Sequence, residues 1–210
     1  MKYFRILDSF EPRGRWYLGE PRTQSGIALD PRLFTEGRKY EGAITYPSSE
    51  INGSELVLGR DYGDRIPFII PIDRGETPLD FTLGAFDMPV VIDEIGHCLQ
   101  AYCGDSMESF SAVVSGATRP FRVLNVLTLL WAVDEEHSEI LWRVKKDSNG
   151  TEFNTYGGIS HIVLKKKALS GATIFRLRGW EISLVVSETV KEILEKLGTT
   201  GITFKALEVI

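Results

Sequence analysis

The chain has 210 residues, of which 43% are hydrophobic and 25% are charged, so it can form a full hydrophobic core and is not expected to be disordered. Its formal net charge of −5 argues against non-specific binding to nucleic acid, which needs lysine and arginine to neutralise phosphates. No apolar run approaches the roughly 20 residues of a membrane span. Arg5 and Asp8 interrupt the N-terminal apolar residues, so no secretory signal is predicted. Two cysteines do not make a disulfide framework, and we expect a cytoplasmic protein that binds neither nucleic acid nor membranes.

Short strands and turns are predicted for residues 1–78. Glycine and proline recur every few residues, as in FEPRGRWYLGEP (10–21), and this spacing favours turns over helices. The residue types predict strands at 3–7, 40–46 and 55–58. An extended piece at 68–72 is bracketed by prolines and is expected at the edge of a sheet. We interpret this region as a turn-rich β segment that packs on the rest of the chain.

A β-hairpin is predicted for the next strongly apolar stretch. Residues 121–133 are β-branched, aromatic or aliphatic at many positions and predict a buried strand, although their length also fits a helix. SEILWRV (138–144) predicts a second strand, with a turn at 134–137 between the two. KDSNGTEFNTYGG (146–158) has the composition of a loop. The lysines at 165–167 are placed on a further strand, where their charges protect an edge rather than bind nucleic acid.

Residues of about 179–209 predict a strand–helix–strand unit. The apolar side chains of its helix recur at i, i+3, i+4 and i+7, which places them on one face. These residues are Val190, Ile193, Leu194 and Leu197. Ser187 is the expected N-cap, and Gly198 is the expected left-handed residue after the last turn.

A second unit with the same pattern is predicted earlier, at about 84–114. Asp93 is its expected N-cap and Gly104 is expected to end its helix. The apolar stripe of this helix consists of Ile95, Cys98, Leu99 and Tyr102. Parallel strands with a right-handed crossover are allowed in each unit, and an antiparallel placement remains open. The two units share stripes, caps and turn glycines, so the repetition belongs to the scaffold and not to an active site.

The predicted fold class is therefore α+β. A β-rich N-terminal region (1–78) precedes an α+β core (79–210) that contains the two similar strand–helix–strand units and an intervening hairpin. The length of the chain allows either one domain or two small lobes, and we expect one compact domain.

No motif in the chain predicts catalysis or a cofactor. His97, Cys98 and Cys103 are close in sequence, but zinc sites and Cys–His nucleophiles use other spacings. Cys98 falls on the apolar stripe, where a free cysteine acts as a small hydrophobic residue, and His97 falls on the solvent face. Phosphate-binding loops and the G-x-S-x-G elbow are absent from the sequence. We expect no catalytic residue, no metal and no cofactor.

An acidic cluster and a tryptophan–arginine pair are the candidate contact residues. Negative charge gathers at the predicted hairpin turn, on Asp134, Glu135, Glu136 and Glu139. This acidic turn is either a solvated turn or a contact surface for a basic partner. Trp16 lies beside Arg15 in a turn-rich region and is either a core residue or one that faces a partner. The other tryptophans are predicted to be core or half-buried residues: Trp131, Trp142 and Trp180.

Five segments resemble a known family when they are taken in chain order. They are GRWYLGEP, LDPRLFTEG, PLDFTLGAFDMPVV, FRVLNVLTLLWAVDEEHSEILWR and IFRLRGWEISLVVSETVKEILEKLGTTGITF. Together they resemble bacterial polymorphic-toxin immunity proteins of family eleven. The resemblance implies a non-enzymatic protein that binds and neutralises a cognate toxin made by the same cell, and it supplies no site residues.

We therefore expect a binding protein, an immunity-type inhibitor whose contacts include the acidic turn together with Arg15 and Trp16. The alternative is a regulatory or adaptor partner of a neighbouring signalling enzyme in the same cell. A third hypothesis is an enzyme with a site around Cys98, Cys103 and nearby carboxylates. In the first two cases the partner is a protein, and the oligomeric state is not predicted.

Overall fold

The computed structural model describes residues 1–37, 43–47, 55–59 and 66–210, most of which lie in strands or turns. The strands, in chain order, are β1 (Tyr3–Asp8), β2 (Tyr17–Leu18), β3 (Ala43–Pro47), β4 (Glu55–Gly59), β5 (Phe68–Ile70), β6 (Ile72–Arg74), β7 (Phe81–Leu83), β8 (Pro89–Ile92), β9 (Met107–Val114), β10 (Phe121–Val126), β11 (Leu129–Leu130), β12 (Glu139–Lys146), β13 (Glu152–His161), β14 (Val163–Leu164), β15 (Ile174–Leu177), β16 (Trp180–Ser187) and β17 (Ile202–Val209). The helices are α1 (Asp93–Cys103), α2 (Lys166–Leu169) and α3 (Glu188–Lys196). This composition is compatible with the predicted α+β class. None of the helices in these residues is long and apolar enough to cross a membrane.

The strands predicted before residue 78 are largely present. β1 and β4 each extend one residue beyond the prediction. β3 overlaps the strand predicted at 40–46, whose first three residues lie outside the described part of the chain. β5 is an edge strand of its sheet, as the flanking prolines predicted, and β6 pairs with β2 instead of continuing β5.

The first large sheet has the strand order β11-β15-β16-β1-β17-β14. β1 lies between β16 and β17 and is antiparallel to both, so an N-terminal strand stands in the middle of a sheet that otherwise comes from residues after 128. Val133, shortly after β11, forms a bridge with Leu164 of β14. Because this bridge joins the two edges, the sheet curves round on itself. The side chains on one face of this sheet form a hydrophobic cluster that includes Tyr3, Phe175 and Val185.

The second large sheet has the order β5-β9-β10-β8-β7. Helix α1 connects β8 to β9, and helix α3 connects β16 to β17 of the first sheet. In each case one antiparallel strand lies between the two connected strands, β10 in the second sheet and β1 in the first. The connected strands are therefore parallel to each other without being neighbours. Side chains of both sheets and of α1 and α3 share one hydrophobic cluster, with Ile6, Leu184, Val123, Leu99 and Leu194 among its members.

The predicted hairpin pairing is wrong. Residues 121–133 are not one strand: β10 belongs to the second sheet and β11 to the first. β12 pairs instead with β13, which begins inside the segment predicted to be a loop. A tight turn makes this pairing possible, because Asp147 Oδ1 accepts the backbone N–H groups of Asn149 and Thr151 at 2.9 and 2.8 Å. The polar, glycine-containing composition of β13 is typical of loops. A strand can have this composition here because much of it is exposed to water.

The lysines at 165–167 were predicted on a strand, and this is also wrong. β14 ends at Leu164, and Lys166 and Lys167 belong to α2. The short helix ends at Ser170, which has a left-handed backbone with φ of 44°. The backbone N–H of Lys166 donates to the carbonyl of Ile210 at 2.7 Å, which joins the first turn of α2 to the residue after β17.

The helix ends are mostly where the sequence predicts them. Ser187 caps α3, since its Oγ accepts the backbone N–H of Val190 at 3.4 Å. Gly198 after α3 and Gly104 after α1 both have positive φ. The N-cap prediction for α1 is wrong by one residue: Ile92 is the N-cap, and Asp93 is the first helical residue.

The buried faces of the helices are narrower than the predicted stripes. In α1, Ile95, Leu99 and Cys103 are buried, whereas Cys98 is half-buried and Tyr102 is exposed. In α3, Val190 and Leu194 are buried. Ile193 is half-buried, and Leu197 is exposed at the end of the helix. Each helix therefore contacts the core with about one side chain per turn.

A candidate partner-binding surface

β12, β13 and the turn between them form an exposed two-stranded arm, residues 139–161. An isolated hairpin of two strands is only marginally stable in water, so its attachment to the rest of the protein is important. Ile159 is buried at the base of the arm. Ser138, just before the arm, donates from Oγ to the carbonyl of Val163 at 3.3 Å and accepts the N–H of Val163 at 3.0 Å. The base is thus held by the closed sheet, and the rest of the arm faces water.

Several large apolar side chains of the arm are exposed. They are Leu141 at 69%, Trp142 at 45%, Val144 at 59% and Phe153 at 46% of their full accessible area. Successive residues of a strand point to opposite faces, so Leu141 and Trp142 make both faces of the arm apolar. Grouped exposed side chains of this kind are typical of an interaction site.

One face of the arm continues into an aromatic strip, formed by Trp131, Trp142 and Tyr156. Trp142 and Tyr156 are cross-strand partners with ring centroids 5.2 Å apart. Tyr156 and Trp131 both lie against Gly179, the turn glycine between β15 and β16. A Cβ added there would be 3.2 Å from Cε2 of Tyr156 and 3.8 Å from Cζ3 of Trp131. Three separate segments of the chain therefore build one surface.

Asp134 organises the acidic turn next to this strip. Its Oδ1 accepts the backbone N–H groups of Glu136 and His137, both at 3.1 Å, and lies 2.9 Å from Nδ1 of His137. The hydrogen bond with the His137 ring is the largest cause of a lowered pKa at Asp134 and a raised pKa at His137. The Asp134 side chain is only 13% exposed. The charges that face solvent therefore belong to Glu135, Glu136 and Glu139.

Two hydrogen bonds connect glutamates of the acidic turn to side chains of β13. The hydroxyl of Tyr156 donates to Oε1 of Glu135 at 2.6 Å, and Oγ of Ser160 donates to Oε2 of Glu139 at 2.7 Å. Burial, followed by the bond to Glu135, raises the pKa of Tyr156, so its hydroxyl stays protonated as the donor. Within the described part of the chain, the glutamates of the acidic turn make no ion pair. The structure thus brings Asp134, Glu135, Glu136 and Glu139 together beside the aromatic strip, at the base of the arm and not at the tip of a hairpin.

The contact between His137 and Asp134 predicts a measurable titration. We expect the His137 ring to titrate above 6.5, the usual value for histidine, because the Asp134 carboxylate stabilises the charged imidazole. In the Asp134→Asn variant the pKa of His137 should fall back towards that value. The measurement is an NMR titration of the imidazole Cε1 protons from about pH 4 to 9. Identical His137 curves in the two proteins would contradict the assignment.

Arg15 and Trp16 do not belong to this surface, and their predicted exposure is wrong. Trp16 is 1% and Arg15 is 4% exposed. The indole N–H of Trp16 donates to Oγ1 of Thr82 at 2.9 Å, and its ring packs edge-on against Phe121. Arg15 forms an ion pair of 3.0 Å with Asp8. Both side chains are used inside the protein and are not available to a partner.

The aromatic strip was missed from the sequence. Trp131 and Trp142 were predicted to be core or half-buried, but they are 69% and 45% exposed; Trp180 is half-buried as predicted. One signal was present: Leu141 and Trp142 are adjacent in a strand, so they point to opposite faces. A strand with bulky apolar groups on both faces needs a layer on each side, and the described residues supply no such layer beyond the base of the arm.

The cysteines and His97 do not form a site in this structure. Cys103 is buried, which raises the pKa of its thiol, and Cys98 is half-buried and not in a disulfide. His97 is exposed and pairs with Asp93 at 3.2 Å. Among the residues that the structure describes, no group of three His, Cys, Asp or Glu side chains could hold a metal ion.

A family model matches part of the chain. Residues 115–209 match the model of the Immunity protein family (Imm11), which confirms the predicted resemblance over this part of the chain. No curated protein matched the chain. Three of the five resembling segments precede residue 115. The matched residues include the arm, the acidic turn and the whole aromatic strip, but not β1 at the centre of the first sheet.

Proposed function

We propose that this protein neutralises a cognate bacterial toxin by binding it directly, without catalysing a reaction. The observation that carries the proposal is the match of residues 115–209 to an immunity protein family, which indicates a role in toxin immunity. Direct binding and the absence of catalysis are what our proposal adds to this role. The alternative, a regulatory partner of a neighbouring signalling enzyme, has no support in the comparisons.

The arm, the aromatic strip and the acidic turn form the contact surface in this proposal. A specific interface of standard size buries about 1,600 Å² and is centred on aromatic anchors with a polar rim. The exposed apolar side chains of the arm supply such anchors. Negative charge at one border of this contact surface comes from Glu135, Glu136 and Glu139. The net charge of −5 on the whole chain adds to it. Charge of this sign accelerates the association with a basic partner.

The test of immunity is the co-expression of this protein with the toxin encoded beside its gene. We expect the toxin alone to arrest the growth of a bacterial host and the pair to grow normally. The purified proteins should also elute as one complex in size-exclusion chromatography. Growth arrest in the presence of both proteins, or separate elution of the two, would overturn the proposal.

The role of the acidic turn is tested by reversing its exposed charges. In the variant with Glu135→Lys, Glu136→Lys and Glu139→Lys we expect association with the toxin to be at least about tenfold slower at low salt, with a smaller difference at high salt. A control with the same change in net charge carries Glu11→Lys, Glu20→Lys and Glu192→Lys, three exposed positions elsewhere. Equal rates for the two variants would show that only net charge matters.

A further inference from the structure

The aromatic strip lies beside carboxylates that make no ion pair with any described residue, and this combination defines the chemistry of its ligand. We propose that the strip is a subsite for a cationic side chain, an arginine or a lysine of the partner protein, which lies over Trp142 with its charged group at Glu135. The inference rests on the proposed function for its partner. It adds the occupant and the residues that select it.

Accessible aromatic rings are the first requirement for such a subsite. A guanidinium or ammonium group within about 6 Å of a ring centroid is attracted by the negative face of the ring, and tryptophan is the strongest partner. Trp142 is 45% exposed, although one of its neighbours, Tyr156, packs beside it. The same chemistry is already present within the strip, since Arg178 lies over Trp131 with its Cζ 5.9 Å from the ring centroid.

A carboxylate at the correct place is the second requirement. Glu135 is exposed, and the hydroxyl of Tyr156 holds its Oε1 at 2.6 Å. This bond connects the carboxylate to the ring that packs at a tilt beside Trp142, so the negative group and the aromatic face are positioned by the same side chain. Carboxylates bind guanidinium groups through two parallel hydrogen bonds, and the second oxygen of Glu135 stays available for one of them.

The cations near Trp142 among the described residues either have other partners or point away from Trp142 and Glu135. In the described residues, Lys146 is the cation on the same face of β12 as Trp142, and it pairs with Glu152 at 3.1 Å. Arg143 and Lys145 alternate with these residues and therefore point to the opposite face of the strand. Arg178 contacts Trp131. No cation among the described residues pairs with Glu135, so we assign the complementary positive charge to the partner.

The experiment measures the affinity of the full-length protein and its variants for the cognate toxin by isothermal titration calorimetry. Trp142→Leu removes the π face but keeps an apolar group, and we expect it to weaken binding at least about fivefold. Trp142→Phe keeps a ring and should lose less. Glu135→Gln should also weaken binding, and the double variant Trp142→Leu/Glu135→Gln should lose less than the product of the two single effects, because both residues contact one cation.

Leu141→Ala probes the opposite face of the arm. The matched control is Leu197→Ala, which removes an exposed apolar side chain at the end of α3, outside the contact surface. Its affinity should stay within about twofold of the original protein. Circular dichroism at the assay temperature must show that each variant is folded, and Trp131→Leu serves as a second probe of the strip if Trp142→Leu disturbs the arm.

The outcomes separate this inference from the proposed function. If the unmodified protein binds and protects while Trp142→Leu and Glu135→Gln bind equally well, the inference is overturned and the immunity function stands. If Trp142→Leu, Trp142→Phe and Leu141→Ala all weaken binding but Glu135→Gln does not, the arm is an apolar anchor and the cationic occupant is wrong. A dimer of the protein that dissociates in Trp142→Leu would assign the strip to a second copy of the chain. If the unmodified protein does not bind the toxin, the proposed function fails, and the inference fails with it.

Discussion

Replacement of Gly201 by alanine is expected to lower the free energy of unfolding by about 2–5 kcal/mol. Gly201 lies between α3 and β17 with φ of 97°, in the left-handed region where a side chain costs about 1–2 kcal/mol. A Cβ at this position would be 2.1 Å from the carbonyl oxygen of Phe81. Because backbone atoms cannot move aside as a flexible side chain does, overpacking adds about 1–3 kcal/mol.

Gly201 is sensitive because two parts of the chain meet there. Its carbonyl accepts the backbone N–H of Ser9 at 2.9 Å, and the neighbouring Thr200 accepts the N–H of Phe81 at 3.1 Å. The loop after α3 thus joins the first sheet to β7 of the second sheet. A shift that relieves the contact with Phe81 would weaken both hydrogen bonds.

The measurement is urea unfolding followed by circular dichroism, with Gly198→Ala as the matched control. Gly198 follows the same helix with φ of 66°, but a Cβ there has nothing within 4 Å. Its substitution should cost only the conformational term, about 1 kcal/mol. In a chain of this size the melting temperature of Gly201→Ala should fall by roughly 5–15 °C. Equal losses for the two variants would mean that the approach to Phe81 is not a constraint in solution.

The second large effect is expected at Arg176, whose side chain is fully buried. Its Nη1 donates to the carbonyl of Glu181 at 2.5 Å, and its Nη2 donates to the carbonyl of Asp87 at 2.9 Å. Burial lowers the pKa of Arg176 to about 10, partly offset by the nearby Asp87 carboxylate, so the guanidinium remains charged at neutral pH. Arg176 therefore connects β15 to β16 and to the turn before β8.

Replacement of Arg176 by methionine should lower the free energy of unfolding by about 3–5 kcal/mol, because it removes one of the two cations near the half-buried Asp87 carboxylate and leaves two carbonyls without donors. Burial raises the pKa of Asp87, and the charges of Arg176 and Arg5 counteract that rise. Asp87→Asn removes the negative charge. Asparagine can adopt the left-handed backbone of this position, which has φ of 54°. The double variant should recover part of the loss.

An exposed arginine provides the control for Arg176. Arg119 binds Asp80 at 2.9 Å and Glu94 at 3.3 Å with about half of its side chain exposed. Arg119→Met should cost less than about 1 kcal/mol. The measurement is again chemical unfolding. A loss of similar size at Arg119 and Arg176, or no recovery in the double variant with Asp87→Asn, would contradict the role assigned to the buried charges.

Features that depend on neighbours in sequence were predictable. Ser187 and Gly198 bound α3 where they were expected because N-caps and left-handed terminal residues act within one helical turn. The strand β1 follows from its own residue types in the same way. The acidic turn was also found correctly as a cluster, since its four carboxylates lie within six residues of each other.

The partners of the strands were not predictable from the same signals. Residues 121–133 form strands of two different sheets, and β12 pairs with a polar strand that has no apolar alternation. The exposure of individual side chains was not predictable either. Trp16 in a turn-rich segment is buried, whereas Trp142 in an apolar strand faces water. Burial depends on whether another layer covers a face, and no residue type carries that information by itself.

The sequence alone determined the α+β class, both ends of α3, the C-terminal end of α1 and the charge of the acidic turn, because these depend on propensities and periodicities over a few residues. Tertiary structure alone decided that β1 enters the middle of the first sheet, that no layer of the described residues covers most of the arm, and that Trp131 and Tyr156 meet at Gly179 with Trp142 beside Tyr156. These contacts join residues far apart in the chain, and their free energy comes from packing and burial that exist only once the sheets have formed.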